Sequence, residues 1–171
     1  MPRHVAFLRG VSPMNAKMPE LKRAFESAGF TNVRTVLSSG NVVFDARSKS
    51  DASLARQAEA AMTQHLDRSF LTIVRPVSAL VELIEADAFS AFRALANAKR
   101  IVTFLREPVT AKLKLPIKAD GARILAVRGR EVLSAYIPRE SDPAFMRLLE
   151  KTFGSDITTR TLDTVKKCVA A

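Results

Sequence analysis

Apolar and polar positions along this chain keep switching between a period of two and a period near 3.6, and each switch marks the edge of an element. Residues 4–9 (HVAFLR) form a nearly continuous apolar run, as a central strand buried on both faces would. A helix is predicted from about Pro19. Pro19 suits the first helical position, Glu20 suits the positive end of the dipole, and Leu21, Ala24, Phe25 and Ala28 repeat on one face. Gly29 then stops it as a left-handed cap. Val33, Thr35 and Leu37 alternate as a second strand, Ser38-Ser39-Gly40-Asn41 turns the chain, and Val42 to Phe44 return. In that turn Gly40 and Asn41 are expected to take positive φ, with the serine hydroxyls satisfying turn N–H groups. Asp51 is the expected cap of a helix in which Leu54, Ala58, Ala61, Met62 and Leu66 share a face, and residues 71–75 make a fourth strand. The order β-α-β-β-α-β is that of a ferredoxin-like half, here residues 1–77.

Residues 78–171 then read as a linking helical region, about 78–97 with acidic Glu82, Glu85 and Asp87, followed by a second half of the same kind. VAFLRG at 5–10 is echoed by VTFLRE at 102–107, and SSGNVVF at 38–44 by VRGREVL at 127–133, matching Gly40 with Gly129 and Val43 with Val132. A helix over 142–153 carries Asp142 as N-cap, Pro143 at its first position, Phe145, Leu148 and Leu149 on one face and Gly154 as its stop. A short strand near Ile157 and a helix capped by Thr161 follow. The expected architecture is therefore α+β, two ferredoxin-like halves related by internal duplication.

Composition narrows the setting. The chain has 171 residues, 47% of them apolar, enough to bury a full core as one domain or two small ones. Cys168 is the single cysteine, so no disulfide framework is possible, and with neither a signal peptide nor an 18-residue apolar run the expected place is the cytoplasm, not a membrane. The net charge of +10 favours an anionic partner. Residues 99–130 carry a net +7: Lys99, Arg100, Arg106, Lys112, Lys114, Lys118, Arg123, Arg128 and Arg130 against Glu107 and Asp120. Such a run reads by default as a solvated face, and functionally as a phosphate-backbone patch.

The stretch FLRGVSPMNAKMPELKRAFESAGFTNVRTVLSSGNVVF resembles the opening signature of the bacterial domain of unknown function family 1697, and TTRTLDTVKKC resembles its closing motif. The resemblance spans essentially the whole chain. It implies a fold of two ferredoxin-like halves and no assigned activity. This chain departs from the family pattern at VSPMNAK, which lacks the usual Gly-Gly pair, and at Thr161 and Leu162, which stand where Asn-Trp is usual. The first departure removes a glycine-rich phosphate cradle, the second an aromatic contact.

Most catalytic chemistries find no support in the residue pattern. His4 and His65 lie far apart outside any ligand-spaced motif, so no metal is expected, and none of the nucleotide-binding glycine motifs is present, so no cofactor is expected. Ser38 and Ser39 are not on a G-x-S-x-G elbow. Glu82 and Glu85 read as solvated charge, and Cys168 as packing. One constellation remains. Arg9, Asn15 and Lys17 follow the first strand, Ser38, Ser39 and Asn41 end the second, and Thr159 with Arg160 precede a helix where N–H groups and a guanidinium could hold an anion. The loops after the first and second strands are not expected to meet unless the second half bridges them. Against this stands a structural reading in which Arg160 pairs with an internal carboxylate or a helix C-terminus and Thr159 helps to cap. An RNA platform would need Phe7, Phe44, Phe104 and Tyr136 exposed on a sheet face, whereas the alternation of Phe44 with Asp45 places Phe44 in the core. Three function classes stay open: a binder of nucleic acid or a phosphorylated small molecule, an enzyme holding its substrate with Arg9, Asn15, Lys17 and Arg160, and an interaction or oligomerisation module. The pattern specifies no oligomeric state.

Overall fold

The computed structural model describes all residues except 93–96, 111, 120 and 139–142. Its first seven elements are β1 (Arg3–Leu8), α1 (Met18–Ser27), β2 (Thr31–Thr35), β3 (Asn41–Asp45), α2 (Asp51–Leu66), β4 (Thr72–Pro76) and α3 (Val77–Glu85). The strands form an antiparallel sheet in the order β2-β3-β1-β4. Its helix-covered face buries Ala6, Leu8, Val42, Phe44 and Val74 against Leu21, Ala24 and Phe25 of α1 and Leu54, Ala58 and Met62 of α2. Phe44 anchors that layer, stacked on Phe30 with ring centroids 4.3 Å apart and tilted against Phe25 at 5.7 Å. Burying each such ring contributes about 1.5–3 kcal/mol.

Local chemistry explains most boundaries and corrects two of them. Gly29, at φ +92°, ends α1 as expected. The cap of α2 is Ser50, whose hydroxyl accepts the Ser53 N–H at 3.1 Å, while Asp51 takes the first helical position and faces the dipole. In the β2–β3 turn the positive φ values belong to Leu37 (+60°) and Gly40 (+91°), whereas Asn41 opens β3 and is fully buried. On the outer side β2 carries a register break between Thr31 and Arg34, with Asn32 at φ +48°.

By compactness the first unit comprises Met1–Glu85 with Val165–Ala171, so α3 packs with β1 and β4 and the unit runs past residue 77; the second is Ala86–Thr164. After a 3₁₀ turn at Ala88–Ala91 come β5 (Lys99–Leu105), β6 (Ile117–Ala119), β7 (Ala122–Arg128), β8 (Glu131–Tyr136), α4 (Ala144–Phe153), β9 (Ile157–Thr161) and α5 (Leu162–Ala170). The second sheet is antiparallel in its H-bonded pairs, ordered β6-β7-β8-β5-β9, and buries Ile101, Leu105, Ile124, Val132 and Ile157 against Phe145 and Leu149 of α4. Gly154 stops α4, while the expected cap Asp142 lies outside the described residues. Thr161 does cap α5, its hydroxyl accepting the Thr164 N–H at 3.2 Å.

Taken together the described residues form two antiparallel sheets and five α-helices. The second unit departs from the expected β-α-β-β-α-β order, because among the described residues the next element after β5 is β6, where a helix would stand. The letter match within the hairpins is also off by one residue. Phe7 faces Asn41 and Phe104 faces Glu131, so with β1 aligned on β5 the partner of Val43 is Leu133, not Val132. A one-residue slip exchanges faces. Accordingly Val132 lies in the α4-facing core, whereas Val43 is buried without belonging to the corresponding helix-facing layer.

Candidate functional site

Antiparallel pairing brings the end of β1 beside the start of β3, and this settles where the first set of candidate residues lies. The Leu8 N–H donates to the Gly40 carbonyl at 2.8 Å, and the Arg9 N–H to the Leu71 carbonyl at 2.9 Å. A Cβ added to Gly40 would stand 2.9 Å from Val11 Cβ. The β1–α1 loop and the β2–β3 turn therefore meet within the first unit itself, contrary to the expectation that they need a bridge. Half-buried Arg9, Asn15 and exposed Lys17 lie on one of these segments, exposed Ser38 and Ser39 on the other.

Several of those side chains are already engaged. Asn15 closes its own loop: its Oδ1 accepts the Ser12 N–H at 2.9 Å and its Nδ2 donates to the Gly10 carbonyl at 2.8 Å. Asn41 locks the turn, donating to the Val36 carbonyl at 3.0 Å and the Ser39 hydroxyl at 3.2 Å. Both asparagines are thus framework for the loops, and Lys17 stands at the N-cap of α1 without a side-chain cap bond. Arg68, which sequence reasoning passed over, donates to the Asn15 carbonyl at 3.3 Å and borders a pocket of about 430 Å³ with Arg23, Glu20, His65 and Asp67. Among the described residues no group of three or more His, Cys, Asp or Glu is arranged to hold a metal ion.

In the second unit, the pair Thr159 and Arg160 divides. Both lie inside β9, where successive side chains take opposite faces. The Thr159 hydroxyl meets that of Thr103 at 3.1 Å, while Arg160 Nη1 donates to the Thr158 hydroxyl and the Thr159 carbonyl, each at 2.8 Å. A shared anion cradle is therefore not built from these two, and these Arg160 bonds stay within its own strand.

The basic residues of 99–130 also separate. Strand register sets Lys118 opposite Arg123, Arg123 opposite Ala135, and Ala135 opposite Arg100, so the three cations share one row and one face. Exposed Lys99 precedes Arg100 in β5 and so takes the opposite face from the row, while Arg100 lies over the Phe89 ring, 5.9 Å from its centroid. Arg128 and Arg130 occupy the far end of the sheet, roughly 17 Å away at 3.4 Å per residue. Lys112 and Lys114 are exposed on the segment between β5 and β6. No carboxylate lies in the row, and none of Lys99, Lys118 and Arg123 has an ion-pair partner among the described residues. The aromatic platform is absent: Phe7, Phe44 and Phe104 are fully buried, and half-buried Tyr136 stacks on Phe145 at 4.3 Å.

The family profile described as "Protein of unknown function (DUF1697)" matches residues 1–132. The chain belongs to the DUF1697 family. The DUF1697 match ends within β8, so Thr159 and Arg160 lie beyond it. A solved structure of a conserved bacterial protein from Streptococcus pneumoniae is similar at a TM-score of 0.69 and 21% identity, over 99% of this chain and 97% of that one. At that identity the likeness shows the fold alone. No curated protein matches the chain. No helix of the described residues is long and apolar enough to cross a membrane.

One buried group has a measurable consequence. His4, 3% exposed, stacks on Phe44 at 5.6 Å, and its Nδ1 has no hydrogen-bond partner. Burial lowers its pKa, with Asp51, then a backbone hydrogen bond at Pro2 and then Asp45 only partly opposing. The unfolded chain therefore takes up a proton first, and stability is full above about pH 6.5 and falls as pH drops below it. Asp45 is shifted down by hydrogen bonds from Asn32 and then Arg3, so its contribution persists above about pH 3.9 and is lost only below. Urea midpoints at pH 7.5 and pH 5 are expected to differ for the parent chain by more than for His4→Phe, which keeps the ring stack and cannot titrate; equal differences would contradict this.

Proposed function

We propose that the protein is a non-catalytic cytoplasmic binder of nucleic acid, gripping phosphates through the row Lys118, Arg123 and Arg100. The observation that carries this reading is the register, which aligns cations on one face with no carboxylate among them. Neighbouring strands lie about 4.8 Å apart, so the row offers charges at roughly 5 and 10 Å intervals. With the candidate aromatics packed away, binding would be sequence-independent and electrostatic. The enzyme reading has less support, because Asn15 would have to give up the bonds that shape its loop.

We propose further that the two units are ferredoxin-like halves descended from a duplication, the second altered where β6 stands in place of the first helix. The support is the equivalent placing of Arg75 opposite Val5 and Arg160 opposite Val102, at the 97-residue offset that relates β1 to β5.

Anisotropy of a labelled single-stranded oligonucleotide tests the binding. Engaging three phosphates of a single strand predicts a slope of log K against log salt of about −2. Replacing Arg100, Lys118 and Arg123 together by Gln is expected to lower that slope by about one per contact removed. Salt-independent binding, or an unchanged triple variant, would sink the proposal. A mononucleotide competing as well as the oligonucleotide per phosphate would turn it towards a phosphorylated small molecule.

A further inference from the structure

Beside the sheet of the first unit lies a pocket of about 310 Å³, roughly ten water volumes at ~30 Å³ each, and within the usual range of small-molecule sites. Its inner wall is apolar. Phe30, Ala46 and Leu54 belong to the buried core, and Ala28 packs against it. Its rim is cationic, from Arg47 and Lys49, both exposed on the segment between β3 and α2. Neither has an ion-pair partner among the described residues, and no carboxylate lines the pocket. An apolar interior with an unneutralised positive mouth is complementary to one kind of small molecule.

We propose that this pocket binds a small amphipathic carboxylate, a single aromatic ring or short acyl chain seated on Phe30, Ala46 and Leu54 with its anionic head held by Arg47 and Lys49. The apolar body gains by leaving water against that wall. A guanidinium receives a carboxylate with paired N–H donors, while the lysine adds a point charge. A cationic head would meet two like charges at the same mouth.

This site is separate from the basic row of the second unit, so the two proposals can fail independently. Titration of the full chain with octanoate, octanol and octylammonium, followed by amide chemical shifts, tests it. Octanoate is expected to saturate, with shifts grouped at residues 28–30, 46–49 and 54, and to bind more tightly than octylammonium. The surface variant Arg47→Ala with Lys49→Ala is expected to weaken octanoate at least about fivefold and leave octanol unchanged. Equal affinity for octylammonium, an unaffected double variant, shifts scattered over the chain, or no saturation by about 10 mM would each overturn the proposal.

Discussion

Arg75→Ala is expected to lower stability by about 3–5 kcal/mol, the cost typical of breaking a buried charged interaction. Arg75 is 2% exposed near the end of the first sheet's edge strand β4, and its Nη1 donates to the Val74 carbonyl at 3.0 Å. It has further partners, so truncation leaves buried acceptors without a donor and a side-chain-sized void. For a chain of this length the loss corresponds to a fall in Tm of about 6–20 °C. Thermal or urea unfolding checks it, and a change below about 1 kcal/mol would contradict it. Arg75→Met refines the result. A cost near that of alanine would mark a carboxylate left uncompensated in the interior, and a small cost would mark carbonyl acceptors only.

Gly40→Ala should destabilise by about 2–5 kcal/mol, the sum of a left-handed backbone penalty and overpacking. At φ +91° the new Cβ would stand 2.9 Å from Val11 Cβ, 3.0 Å from the Leu8 carbonyl oxygen and 3.1 Å from Leu8 Cβ. Two of these atoms belong to Leu8, held in the ladder of β1, and cannot give way as a flexible side-chain tip would. Gly29→Ala is the control. Gly29 has a comparable φ of +92° with nothing within 4 Å, so it should cost only the backbone part, about 1–2 kcal/mol. Equal losses at the two positions would show that crowding contributes nothing at Gly40.

Much of the first unit could be read from residues because its signals are local. Pro19 and Gly29 bracket α1, and the Leu21, Ala24 and Phe25 face is the one that packs. Between β5 and β7 no helix stands among the described residues, although repetition of the first unit implies one, and nothing in residues 106–116 has helical period. Site geometry was misjudged for a different reason. Thr159 and Arg160 read in sequence as the approach to a helix, whereas they lie inside β9, whose alternation sends them to opposite faces. The meeting of the Arg9 and Ser38 loops follows from β1 and β3 being antiparallel neighbours, a fact about non-local pairing that no window of sequence contains. Arg75 escaped notice because an arginine at a strand's end resembles a solvated terminus, and only the third dimension reveals it as interior.

The break in β2 bears on how the molecule behaves in a crowd. An outermost strand with regular, unsatisfied N–H and C=O groups invites a neighbour's strand to join it. Here Asn32 kinks the ribbon, and Arg3 ties down the kink by donating to the Asn32 carbonyl at 3.2 Å and to Asp45 at 2.8 Å. With only five residues and an irregular rim, that border offers little for cross-β growth to copy, and resistance to self-association along it follows from the backbone's shape rather than from charge repulsion.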